Sequence, residues 1–173
     1  MILQPSDNTL TLRPINDLDR ELLLDIYSST RKEELDHMTH WSEAEKQAFL
    51  NFQFTAQHTY YIENYRGANF WILEKNALPI GRLYLDIWFN TKTMRIIDIT
   101  LLPAWRGQGI GRQLLLDIMA FAEKINRGVS IHVESFNPAM RLYKRLGFEL
   151  VSTTNDVYHL FEWNIKTTVP ESI

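Results

Sequence analysis

"LLPAWRGQGIGRQLLLDI", residues 101–118, sets Gly107, Gly109 and Gly111 within five positions, between an apolar run and a segment of helical period. The run before it, "MRIIDITLL" (94–102), is apolar on both sides of the chain, the pattern of a central strand covered on each face. From Gly109 to about Asn126 apolar residues recur at the spacing of an amphipathic helix. The glycines therefore stand where a buried strand turns into a helix. Their spacing does not fit the dinucleotide pattern G-x-G-x-x-G, and no G-x-x-x-x-G-K-S/T is present, so neither a Rossmann site nor a P-loop is indicated. What remains is Arg106-x-x-Gly109-x-Gly111. Residues without side chains let a ligand approach the main chain, and the first turn of a helix offers unpaired N–H groups and the positive end of its dipole. The stretch Arg106, Gly107, Gln108, Gly109, Ile110, Gly111, Arg112 reads as a pyrophosphate cradle, with Arg106 and Arg112 adding charge-assisted contacts at its rim. The plainer alternative is a helix start with permissive glycines.

Working outward, "TLTLRPI" (9–15) alternates polar and apolar residues and predicts a strand closed by Pro14. "DLDRELLLDIYSSTR" (17–31) puts Leu18, Leu22 and Ile26 on one helical stripe. "SEAEKQAFLNFQFTAQHTYY" (42–61) opens with Ser42 three residues before Glu45, a capping box. "NFWILEK" (69–75) and "PIGRLYLDIWF" (79–89) flank the turn-like "KNALP" and predict an antiparallel hairpin. "VSIHVES" (129–135) predicts a strand, "PAMRLYKRLG" (138–147) a short helix ending at a glycine, and "VYHLFEWNI" (157–165) a last strand. The tail "KTTVPESI" (166–173) is expected to fray. No repeat, low-complexity segment or interdomain linker stands out. One domain over 1–173, with its core at about 9–165, is the expectation.

Bulk composition narrows the class. The chain has 173 residues, 45% of them hydrophobic, so it can bury a real core. A net charge of −3, without a long Lys/Arg run, gives no footprint for nucleic acid or anionic membrane. There is no cysteine, which excludes disulfides, thiolate metal sites and a Cys nucleophile and fits a reducing compartment. The opening "MILQPSDNTL" lacks a basic segment followed by an apolar core, and no stretch approaches the roughly 20 apolar residues that span a bilayer. A soluble, cytoplasmic protein is expected, and a homodimer is left open.

"LLPAWRGQGIGRQLL" followed by "NPAMRLYKRLGF" resembles the two acetyl-CoA-binding motifs of the GNAT superfamily of N-acetyltransferases. The first matches its Gln/Arg-x-x-Gly-x-Gly/Ala signature through Arg106, Gly109 and Gly111. The second matches through Asn137, Ala139, Tyr143, Gly147 and Phe148, with Asn137 standing one residue closer to Tyr143 than is common in the family. The resemblance covers about residues 70–163, and residues 1–68 match only in element order. It implies an α/β fold: a mixed, mostly antiparallel sheet of six or seven strands, helices on both faces, and a parallel pair, 94–102 and 129–135, splayed apart at acetyl-CoA. It also implies that main-chain groups of Ile99, Thr100 and Leu101 hold the pantetheine arm and the thioester carbonyl, that Asn137 contacts the cosubstrate, and that Tyr143 is a general acid towards the coenzyme A sulfur, the alternative for Tyr143 being a packed helix aromatic with its hydroxyl satisfied. No metal is required.

Acetyl transfer to an amine needs a neutral amine, a polarised carbonyl and a stabilised leaving thiolate. Three residues are candidates for the base. Asp98 is a lone carboxylate in an apolar strand, either a base or the structural partner of Arg95 or Arg82. His132 and Glu134 alternate along one strand and share a face. Solvent through an ordered water chain is the remaining route. Tyr60, Tyr61, Tyr65, Tyr84 and Trp88 are candidates for an aromatic-walled acceptor pocket, with core packing as the alternative. Glu33, Glu34 and Asp36 either attract a cation or form a solvated helical face. His37, His40 and His58 show no ligand constellation. The leading reading is an N-acetyltransferase moving acetyl from acetyl-CoA to a primary amine of a small molecule or a protein by direct attack in a ternary complex. The alternatives are a non-catalytic acyl-CoA-binding or sensing module, and an interaction domain in which the glycines are structural.

Overall fold

The computed structural model describes residues 3–165, so the tail 166–173 lies outside the described residues. β1 (Leu10–Pro14) is followed by a 3-10 turn, Asp17–Asp19, in which the Asn16 side chain accepts from the Leu18 N–H. Leu18 sits in that turn, 93% exposed, so the stripe expected from Leu18 begins later. The tight turn points it away from the core. α1 (Arg20–Asp36) instead buries Leu23, Ile26, Tyr27 and Leu35, and runs past the expected end. α2 (Glu43–Asn64) starts at the Ser42/Glu45 capping box, with both reciprocal bonds formed. β2 (Asn69–Lys75) and β3 (Leu78–Asp86) form the hairpin, turned by Asn76 and Ala77, both at positive φ. β4 (Thr93–Leu101) leads through a 3-10 turn at Pro103–Trp105 into α3 (Ile110–Lys124). β5 (Gly128–Glu134), α4 (Met140–Arg145), β6 (Glu149–Thr154) and β7 (Tyr158–Trp163) complete the described chain.

The seven strands lie in the order β1-β2-β3-β4-β5-β7-β6. All neighbours are antiparallel except β4 and β5, which are parallel and joined by α3, as a parallel pair requires. The strand not anticipated is β6. Every residue of "ELVSTT" is exposed, because β6 is an edge strand and lacks the half-buried alternation by which a strand is recognised.

Two apolar clusters hold the sheet between helices. On one face Ile110, Leu114, Ile118 and Phe121 of α3 and Tyr143 of α4 pack with Leu83, Met94, Ile96, Val129 and Ile131. On the other, Leu23 and Tyr27 of α1 and Leu50 and Phe54 of α2 pack with Ile72 and Tyr84. Two details position the site. The β4·β5 register runs from Thr93↔Gly128 only to Ile96↔Ile131, so the strands part beyond that pair. One residue further, Ile97 is skipped in the β3·β4 register, which passes from Leu85↔Ile96 to Tyr84↔Asp98. Such a bulge bends its strand and increases its twist.

Candidate active site

The mouth of α3 is open. Gly109 is its N-cap at φ +81°, a left-handed conformation that strains any L side chain, and Gly107 lies at φ +71°. A Cβ at either residue would meet no atom within 4 Å, and at Gly111 only Leu101 Cδ1 at 3.9 Å. No side chain caps the helix, so its first N–H groups face that space. A cavity of about 300 Å³ opens there, lined by Gln108, Gly109, Ile110, Gln113, Asp7 and Lys75. Lys75 is held by Asp7, 3.2 Å, and Thr9, 2.8 Å. A larger hollow of about 620 Å³, between the ends of α3, α4, β6 and β7, contains none of the cradle glycines.

The two rim arginines differ from each other. Arg106 donates from Nε to Leu101 O (2.8 Å) and from a terminal nitrogen to Ser29 Oγ (2.9 Å), tying the glycine loop to the end of β4 and to α1. Arg112 is exposed on the first turn of α3. Gln108 donates to Ala104 O at 2.7 Å, and buried Ile110 anchors the helix start. Beside this mouth, Ile99, Thr100 and Leu101 pair with β3 on one edge and have no strand on the other. Their free main-chain edge faces the gap between β4 and β5.

Asn137 and Tyr143 belong to α4 and the turn that leads into it from β5. The Asn137 side chain accepts from the Ala139 N–H at 2.9 Å and so shapes the entry to α4. Tyr143 is 4% exposed, its ring edge-on to Phe148 with centroids 5.7 Å apart. Burial first, and then the Asp98 carboxylate, raise its phenol well above the ordinary value. It stays protonated at neutral pH, as a proton donor must.

The candidate bases separate. Arg82 grips Asp98 with two bonds, Nε to Oδ1 at 3.1 Å and a terminal nitrogen to Oδ2 at 2.7 Å, and Thr100 donates to Oδ1 at 2.8 Å. Arg82 also donates to Gln57 of α2 at 2.9 Å. Between the two partners sequence left open, Arg82 is therefore the one that takes Asp98. His132, the first residue of β5 past the last β4·β5 pair, presents Nδ1 to a terminal nitrogen of Arg95 at 2.9 Å. Burial and then Arg95 lower its pKa. Glu134 stands 3.7 Å from Arg31 of α1.

The aromatic residues do not form one wall. Tyr84 is fully buried against Phe70, and Tyr61 packs edge-on to it; burial pushes the Tyr84 phenol up to about 12. Tyr60 and Trp88 face solvent, and Tyr65 lies near Phe89. On α1, Lys32–Asp36 and Arg31–Glu34 pairs lie along the exposed helical face that carries Glu33. No group of three or more metal-ligating side chains occurs among the described residues. No helix there is long and apolar enough to cross a membrane. Sequence reasoning missed Ser130 and Gln57 as partners of buried arginines. Their only trace was polarity at a strand interior and on a helix face.

A family model described as an acetyltransferase (GNAT) domain matches residues 66–150, the stretch that holds the hairpin, the splayed strands, the glycine mouth and α4. Over that stretch the chain is similar to a GNAT acetyltransferase domain. Its sequence is similar to "Probable N-acetyltransferase san" of Drosophila melanogaster, 31% identical over 110 residues, 56% of this chain and 60% of that protein. The chain thus matches less than two thirds of that relative's length. The GNAT fold recurs at low identity in the PaiA N-acetyltransferase of Thermoplasma acidophilum in complex with coenzyme A (TM-score 0.65, 17% identity, covering 90% of this chain and 99% of that one). It recurs also in Arabidopsis thaliana Naa50 with the bisubstrate analogue CoA-Ac-MVNAL (TM-score 0.58, 16% identity, 91% and 99%).

Proposed function

We propose that this chain transfers the acetyl group of acetyl-CoA to a primary amine by direct attack within a ternary complex. The observation that carries the reading is the side-chain-free mouth of α3 opening beside the unpaired edge of β4. The N–H groups of Ile110, Gly111 and Arg112 would hold the pyrophosphate, with the Arg112 guanidinium beside them. Arg106 supports the loop from behind. The main chain of Ile99, Thr100 and Leu101 would align the arm and polarise the thioester carbonyl. The amine nitrogen bonds to the carbonyl carbon, the C–S bond breaks, and the ammonium proton leaves to Glu134 or to water. Tyr143 donates to the departing sulfur. Asp98 supports the site through Arg82 and Thr100 and is not assigned the base. A cytoplasmic setting fits the absence of cysteine, and 1–173 is read as one domain.

Calorimetry with acetyl-CoA and a thiol-release assay over an amine panel test the reading. N-terminal peptides come first in the panel, because a fold neighbour is seen with CoA-Ac-MVNAL. Micromolar-range binding is expected, lost in Gly109→Val and weakened in Gly111→Leu. Tyr143→Phe is expected to lower kcat about 10²-fold while leaving coenzyme A affinity intact. Unchanged binding in both glycine variants would remove the cradle. Binding without thiol release from any amine would make the chain an acyl-CoA-binding module.

A further inference from the structure

Arg95 is 6% exposed and, among the described residues, has no carboxylate within ion-pair distance. Its contacts are neutral. Nε donates to Ser130 Oγ at 2.8 Å, a terminal nitrogen meets His132 Nδ1 at 2.9 Å, and the guanidinium lies over the Phe89 ring, 4.3 Å from its centroid. Ser130 in turn donates to Met94 O at 3.0 Å, which leaves its oxygen lone pairs to receive Arg95.

A guanidinium can only donate. The ring atom facing it must accept, so the Nδ1 lone pair of His132 is engaged and the proton of the neutral ring sits on Nε2. Protonating Nδ1 would set N–H against N–H and bring two cations together in a half-dry place. We propose that Arg95 fixes His132 as the neutral ring protonated at Nε2, so that His132 serves the acceptor site as a hydrogen-bond donor and not as the general base. A base needs a free lone pair, and the one His132 possesses is already held. Ser130, Arg95 and His132 then form a chain of bonds running from the buried Ser130 to the exposed His132, whose free end is the Nε2–H at the point where β4 and β5 part. Such a donor selects an oxygen: an amine flanked by a carbonyl or carboxylate meets it, and a bare alkylamine does not. Proton removal falls to Glu134 or solvent. Arg95 is the positioning residue, and the inference rests on the acetyltransferase reading for its use but not for the ring state.

The charged groups around this place come from every neighbouring element. Arg95 enters from β4, Asp86 from β3, Tyr65 from the end of α2 and Glu162 from β7, these last three acting on Arg95. Glu134 lies two residues along β5, drawn towards Arg31 of α1. The Arg95 charge, closest and least screened, sets the sign at Nδ1.

Long-range proton–nitrogen NMR on labelled protein reads the ring directly, with His132 assigned by the signals that vanish in His132→Gln. The expected result is the Nε2–H form, with a titration midpoint below that of a free histidine and moved upward in Arg95→Met. A proton on Nδ1, or a midpoint at or above the ordinary value, overturns the proposal whether or not the protein turns over any amine. Kinetics give the second arm, since a glutamine amide reaches the place of the distal ring nitrogen and donates there without being a base. His132→Gln is expected to stay within a few-fold of the parent, while His132→Leu raises KM about tenfold for an amine flanked by a carbonyl. Equal loss of about 10²-fold in kcat in both variants would restore the base and overturn the proposal. Failure of coenzyme A binding with the ring state intact would remove the acetyltransferase reading alone.

Discussion

Arg82 and Arg95 stand on adjacent strands, on the face of the sheet that α1 and α2 approach, 2% and 6% exposed. Arg82 meets a carboxylate in a two-bond grip, and although burial opposes its charge, Asp98 raises its pKa. Arg95 meets a hydroxyl, an imidazole and an aromatic ring, and burial lowers its pKa. The first pair is saturated and joins β3, β4 and α2. The second leaves a charge with neutral groups in direct contact and carboxylates only at a distance, Asp86 and Glu162, and it lies where the two parallel strands part. The contrast teaches that burial of an arginine does not define its role. The partner does, because a carboxylate spends the charge on the fold whereas a neutral imidazole passes its influence on to whatever approaches next.

The sharpest way to break the contrast is to strip Asp98. Asp98→Ala leaves the Arg82 guanidinium buried and uncompensated, and a loss of about 3–5 kcal/mol in urea unfolding is expected. A loss within about 1 kcal/mol, together with abolished turnover, would make Asp98 a catalytic group after all. Replacing Arg95 by methionine is expected to do far less. It removes a desolvated charge, keeps the volume, and leaves Ser130 bonded to Met94 O, so stability should move by about 1 kcal/mol or less in either direction. A loss as large as that of Asp98→Ala would erase the distinction between the two arginines.

The smallest effect is the pH dependence. His58 and His132 are both lowered from the ordinary 6.5, His58 by burial, with Arg82 and Arg20 adding to it, and His132 by burial and Arg95. Their neutral forms are favoured in the native state, so the unfolded chain binds more protons below that value and stability rises with pH there. The contribution is complete above about pH 6.5 and fades as pH falls through the native midpoints. Urea midpoints should be flat from pH 7 to 8 and decline gently below 6.5, with a shallower decline in Arg95→Met because only His58 still contributes in full. An equal decline in both proteins would detach Arg95 from His132.

Much of the fold was legible in the chain. The capping box at Ser42 and Glu45, the hairpin around Asn76–Ala77, the doubly apolar β4 and the helical period after Gly109 are local signals, and each element formed where its own residues predicted it. Leu18 misled because periodicity cannot see a 3-10 turn that swings one residue outward. β6 escaped because an edge strand buries nothing. Arg106 fits the motif, yet its guanidinium is committed to Leu101 O and Ser29, a contact 77 residues away in the chain that no local pattern encodes.

By itself the sequence determined the order of the elements other than β6, the glycine mouth and the resemblance that names the family, because these depend on near-neighbour spacing and on residues whose backbone freedom is intrinsic. Only the tertiary structure decided which arginine owns Asp98, where β4 and β5 part, and which ring nitrogen of His132 is spoken for. Those outcomes depend on cross-strand register. The β-bulge at Ile97 shifts which residues of β4 face Tyr84 and Arg82, and a one-residue change in register exchanges the partners of every polar side chain on the strand.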